Sequence, residues 1–118
     1  MSSFGSHLNK QRKALNKREP GNYSLRKVST KAGINPSYLS QIENDKQPPP
    51  GEQTTVRLAE ILGEDPDVLL AMGGKISSDL QAIIAKRPQL FAQLLRSLKD
   101  QPEHAILRLV REVRDGAW

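Results

Sequence analysis

Apolar residues along this chain recur at three- and four-residue intervals, in short runs cut off by proline or glycine. That spacing follows the turn of an α-helix, and no run alternates apolar and polar side chains as a half-buried strand does. The expected class is therefore all-α, built from short helices. From Ser3 to about Arg18, Phe4, Leu8 and Leu15 share one side of a helix rich in Lys and Arg. Pro20 and Gly21 in "EPGNY" end it, because neither residue continues a helix readily. Ser24 is a natural N-cap for a second helix running to about Ala32, with Leu25, Val28 and Ala32 spaced to face a core. Gly33 suits the left-handed turn that closes a helix, and Asn35 with Pro36 opens the next.

The third helix reads "PSYLSQIEN". At about 100° per residue, Leu39 and Ile42 fall together with Tyr38 on their flank. Ser37, Ser40, Gln41 and Asn44 fill an arc on the other side. An exposed helix face is ordinarily filled with Lys and Glu, so a strip of short hydrogen-bonding groups suggests a surface other than bulk water lying against it. The three successive prolines of "DKQPPPGEQ" make a loop. A fourth helix is expected from about Thr54 to Leu62, with Val56, Leu58, Ala59, Ile61 and Leu62 largely apolar, and Gly63 ends it. Asp65 caps a fifth, "PDVLLAM", and "GGK" closes the unit near residue 75.

Residues 76–118 carry three more amphipathic pieces. Ile76, Leu80, Ile83 and Ile84 line the first; Leu90, Phe91, Leu94, Leu95 and Leu98 follow Pro88; Ile106, Leu109, Val110 and Val113 follow Pro102. A segment this short seldom encloses a core of its own. Its apolar stripes must pack on the first unit or on another copy of the chain, and the last two, with Trp118 as an anchor, are expected to pair with a second copy. The division expected is a unit over 1–75 and an assembly segment over 76–118.

Charge is distributed unequally. Residues 1–50 hold nine Lys/Arg against three Asp/Glu, and residues 51–118 hold nine against ten, so the net charge of +5 belongs to the first half. A basic part joined to a nearly neutral one fits a chain in which one half meets a polyanion. Lys10, Lys13 and Lys17 read as a solvated face that adds to this field. There is no cysteine, hence no disulfide framework or thiolate site. No run of roughly 18 apolar residues offers a membrane span, and the N-terminal stretch lacks the apolar core of a secretory signal. These absences point to a cytoplasmic setting without membrane contact. Catalytic resources are few: His7 and His104 lie far apart without metal-ligand spacing, and no glycine belongs to a phosphate-cradling motif. Neither enzymatic activity, a metal nor a cofactor is expected.

Two helices joined by a short glycine-bearing turn, the second with a polar strip, form a helix-turn-helix pattern. The major groove of DNA admits one helix and displays donors and acceptors on base edges, which short Ser, Asn and Gln side chains reach. Gln both donates and accepts, matching the paired groups of adenine. "SLRKVSTKAGINPSYLSQIENDKQPPP" resembles the Cro/C1-type (XRE) helix-turn-helix family of bacterial and phage regulators. The likeness rests on the "AGI" turn at Ala32–Ile34, the "SYLSQIE" run at Ser37–Glu43 and the proline-bearing loop, and covers about residues 4–73. It implies a five-helix, lambda-repressor-like DNA-binding domain whose second and third helices read DNA. It implies base contacts from Asn35, Ser37 and Gln41, and phosphate contacts from Ser24, Arg26, Ser40, Asn44 and Lys46. Tyr38 is either a further DNA contact or a core flank. Glu43 is expected to pair with Arg12 and tie the first helix to the third, although the stretch from Arg12 to Ser24 is longer than the family's usual connection. Residues 76–118 resemble, in general layout only, the helical dimerisation segments of small repressors. The function expected is a sequence-specific regulator of double-stranded DNA, a repressor acting as a homodimer on a near-palindromic operator, nucleoid-associated in a prokaryotic or phage setting. The competing expectation is an antitoxin-like or partner-controlled regulator, whose C-terminal helices bind a different protein or are removed by a peptidase.

Overall fold

The computed structural model describes residues 3–116, which form α-helices and no strand. The helices are α1 (Phe4–Arg18), α2 (Leu25–Ala32), α3 (Pro36–Glu43), α4 (Glu52–Leu62), α5 (Pro66–Met72), α6 (Ser78–Lys86), α7 (Pro88–Leu98) and α8 (Glu103–Asp115). Trp118 lies outside the described residues. The chain divides after Ser77 into two compact units, the first holding α1–α5 and the second α6–α8.

Local chemistry sets the ends of the first five helices. The side chains of Ser3, Ser24, Asn35 and Asp65 each accept a backbone N–H from the first turn of α1, α2, α3 and α5, satisfying donors that a helix start leaves unpaired. Pro36 and Pro66 occupy the first helical position, where a missing N–H costs nothing. Helix α4 begins at Glu52, two residues before the expected Thr54, with Gly51 as its N-cap. Nothing after Pro50 opposes helix formation, and the Glu52 carboxylate favours the positive end of the helix dipole.

The core of the first unit draws on every one of its helices. Phe4 and Leu8, Val28 and Ala32, Leu39 and Ile42, Leu58, Ala59 and Leu62, and Leu69 form one buried cluster. Each of the larger aliphatic side chains contributes about 1.5–3 kcal/mol by leaving water. The inner face of α4 runs through Thr55, Leu58, Ala59 and Leu62, while Val56 and Ile61 sit at its margin. Thr55 is buried because its hydroxyl donates to the Pro50 carbonyl at 3.1 Å, a bond that periodicity of apolar residues does not reveal. Helices α1 and α3 cross so closely that a Cβ on Gly5 would run into the Ile42 carbonyl oxygen.

In the second unit α6 packs on α7, and no residue of α6, α7 or α8 is buried. Leu90 is 62 % exposed, Leu95 56 %, Val110 51 % and Val113 59 %. Phe91, Leu98, Ile106 and Leu109 are half-buried. These apolar faces have no interior to enter within their own unit.

Candidate nucleic-acid interface

The turn between α2 and α3 is fixed by backbone geometry. Gly33 takes φ 72°, its N–H bonds the Thr30 carbonyl at 3.1 Å, and the Ile34 N–H bonds the Ser29 carbonyl at 2.9 Å. This closes α2 in the left-handed motif that glycine adopts without strain. Ile34 packs against the core just beyond the turn, so α3 leaves at a set angle. Ser29 is fully buried, and its hydroxyl donates to the Arg26 carbonyl at 2.9 Å, so a polar residue is accommodated where apolar neighbours surround it.

Helix α3 buries Leu39 and Ile42 and leaves its polar strip on the outside. Asn35, Ser37 and Asn44 are exposed, and Ser40 and Gln41 are half-buried. Tyr38 is partly buried against the core. The Asn35 side-chain oxygen accepts the Ser37 N–H at 2.8 Å, which leaves its amide hydrogens as outward donors. Asn44 turns back on the helix, donating to the Ser40 carbonyl at 2.7 Å. The Gln41 side-chain oxygen accepts from the Gln47 amide at 3.1 Å.

The one acid of α3 points the other way. Glu43 is buried, and Arg12 grips both its oxygens, Nε to Oε2 at 2.7 Å and Nη2 to Oε1 at 2.9 Å. Asn9 donates to Oε1 at 2.8 Å, and Arg12 Nη1 donates to the Tyr23 carbonyl at 3.2 Å. This network ties α1, the connection before α2 and α3 together while removing a negative charge from the polar strip. The long connection before Ser24 does not displace Arg12, because the Asn16 side-chain oxygen accepts from both the Gly21 and Tyr23 N–H groups at 3.0 Å. The extra residues are folded into a turn.

Positive charge flanks the strip. Arg26, Lys27 and Lys31 are exposed on α2 and line a shallow groove with Asn22 and Thr30. Lys31 Nζ lies 6.0 Å from the Tyr23 ring centroid, within reach of a cation–π contact. Ser24 accepts the Lys27 N–H at 3.2 Å, which leaves its own O–H free to donate. Lys46 is exposed directly after α3, its N–H bonded to the Gln41 carbonyl at 2.8 Å.

A family model described as a helix-turn-helix domain matches residues 12–74, more than half of the 118-residue chain. The chain belongs to the helix-turn-helix family. No curated protein and no solved structure matches it significantly. The matched span of this helix-turn-helix domain runs from Arg12 in α1 through α5 and stops before α6. It therefore contains the glycine turn, the polar strip, the flanking cations and the Arg12–Glu43 pair. The family binds DNA and is typically non-enzymatic. Among the described residues no group of His, Cys, Asp or Glu is arranged to hold a metal ion, and no helix is long and apolar enough to cross a membrane.

Two residues of the first unit escape sequence reasoning. Asn9 has a detectable signal, since it precedes Arg12 by three positions and shares its helix face. Gln47 has none. It sits in an irregular proline loop, where no periodicity says which way a side chain points.

Proposed function

We propose that this chain is a sequence-specific regulator of double-stranded DNA, a repressor acting as a homodimer on a near-palindromic operator. The observation that carries the reading is the outer face of α3, whose polar side chains stand clear of the core while its only acid is drawn inward by Arg12. A strip that presents hydroxyls and amides without a carboxylate suits base edges flanked by phosphates. Asn35, Ser37 and Gln41 are the proposed base contacts. Ser24, Arg26, Tyr38, Ser40, Asn44 and Lys46 are the proposed phosphate contacts, with Tyr38 limited to its exposed edge. Residues 76–118 are proposed to pair two copies through Leu90, Phe91, Leu94, Leu95, Leu98, Ile106, Leu109, Val110 and Val113, with Trp118 as a further anchor. Repression is the simple outcome when a small protein covers a promoter.

Enrichment of bound fragments from random duplex DNA tests this reading. The expected result is a near-palindrome with half-sites about one DNA turn apart, roughly 34 Å. Gln41→Ala is expected to cost about 1–3 kcal/mol at one base position in each half-site. Uniform binding to every fragment, unaltered by Gln41→Ala, would show nonspecific nucleic-acid binding instead. The exposed apolar faces of α7 and α8 equally suit a different protein partner. A monomer at micromolar concentration in light scattering would favour that partner-controlled alternative.

A further inference from the structure

The loop that follows α3 returns to the reading strip. The Lys46 and Gln47 N–H groups both bond the Gln41 carbonyl, at 2.8 and 3.3 Å, and the Gln47 side-chain amide donates to the Gln41 side-chain oxygen at 3.1 Å. Main chain and side chain of Gln41 are thus clasped by the same two-residue stretch. The far end of the loop is equally tied. Pro50 is buried, and its carbonyl accepts from the Thr55 hydroxyl at 3.1 Å and from Lys75 Nζ at 2.8 Å. Gln47 is therefore held between two anchored points while remaining exposed itself.

A free glutamine amide rotates, so it offers a donor or an acceptor at either edge. One lone pair of the Gln41 oxygen already faces Gln47. The amide can then offer its second lone pair and its N–H group outward in only one order. Adenine presents an acceptor and a donor side by side on its major-groove edge, so an amide of fixed order matches it in one orientation. In water an exposed amide pair contributes little. Inside a groove emptied of water the same bond is stronger and holds the reading group in that order.

We propose that Gln47 is a positioning residue that sets the orientation of the Gln41 amide and thereby the base preference at one operator position. The inference rests on Gln41 meeting a base, and the test separates the two claims. Full-length wild type, Gln41→Ala, Gln47→Ala, Gln47→Glu and the Gln41→Ala/Gln47→Ala double variant are each put through fragment enrichment, with thermal melts beside them. Gln41→Ala should flatten one column of the preference matrix on the order of tenfold to a hundredfold. Gln47→Ala should weaken the same column about two- to tenfold and spare the others. The double variant should match Gln41→Ala at that column, as expected of two residues acting through one contact. Gln47→Glu, which only accepts, should turn the Gln41 amide round and change the favoured base there.

A Gln47→Ala profile identical to wild type, beside a flattened Gln41→Ala column, overturns the inference and leaves the regulator reading standing. A uniform loss at every column with a lowered melting temperature also overturns it, since that is the mark of a helix cap. If Gln41→Ala alters no column, groove contact by α3 fails and the inference fails with it.

Discussion

At the scale of single residues, Arg12 and Glu43 show how one pair serves both stability and surface chemistry. Their side chains are 10 % and 3 % exposed, and each carboxylate oxygen of Glu43 is met by Arg12. Removing one partner strands a charge where water cannot reach it. Glu43→Ala should therefore cost about 3–5 kcal/mol in urea unfolding, because a broken buried pair loses far more than its net worth. The double variant Arg12→Met/Glu43→Leu should lose less than either single change, since apolar side chains of similar volume need no desolvation. The pairing of Glu43 with Arg12 is implied by the resemblance to Cro/C1-type regulators, but its full coordination is not legible in the sequence. Asn9 reaches Glu43 only once α1 has docked on α3, and the Tyr23 carbonyl and the Asn16 turn enter only once the connection before α2 has folded.

At the scale of elements, helix type and order in both units follow from apolar spacing and from end signals at Ser24, Gly33, Asn35, Gly63 and Asp65. These signals act within a few residues, so a sequence displays them. Contacts between elements are another matter. Thr55 is buried by a hydroxyl bond to Pro50, and Gln47 reaches Gln41 across a loop, and neither has an apolar pattern to announce it. Gly5 belongs to the same class. Its burial marks a tight approach of α1 to α3, where a Cβ would run into the Ile42 carbonyl oxygen and stand 2.7 Å from an Asp45 carboxylate oxygen. Asp45 itself holds φ 59° and accepts from the Ser3 hydroxyl at 2.8 Å, so this corner has little room to yield. Gly5→Ala should push α1 off α3 and cost about 1–3 kcal/mol, read as an earlier urea midpoint. Ser6→Ala, on an exposed position of the same turn, should leave the midpoint within about 0.5 kcal/mol of wild type.

At the scale of the whole molecule, the basic excess lies within residues 1–50 and the larger uncovered apolar surface in the second unit. The net charge of +6 over residues 1–50 accompanies the helix-turn-helix, whereas α6–α8 leave aliphatic side chains uncovered. A single helix-turn-helix domain engages few phosphates, and affinity for DNA scales with the number neutralised. Pairing two chains doubles that number and makes the second contact intramolecular. Leu94 on α7 is 40 % exposed and Val110 on α8 51 % exposed, so an acid at either place should not disturb the buried cluster of α1–α5. In the proposed homodimer, Leu94→Glu/Val110→Glu should therefore halve the mass seen by light scattering while the first unit keeps its unfolding transition. Operator affinity should fall by about 10²–10⁴-fold, and the slope of log affinity against log salt should drop to about half. A full salt slope in a protein proven monomeric would mean that one chain makes all the phosphate contacts, and α6–α8 would then be left to a different partner.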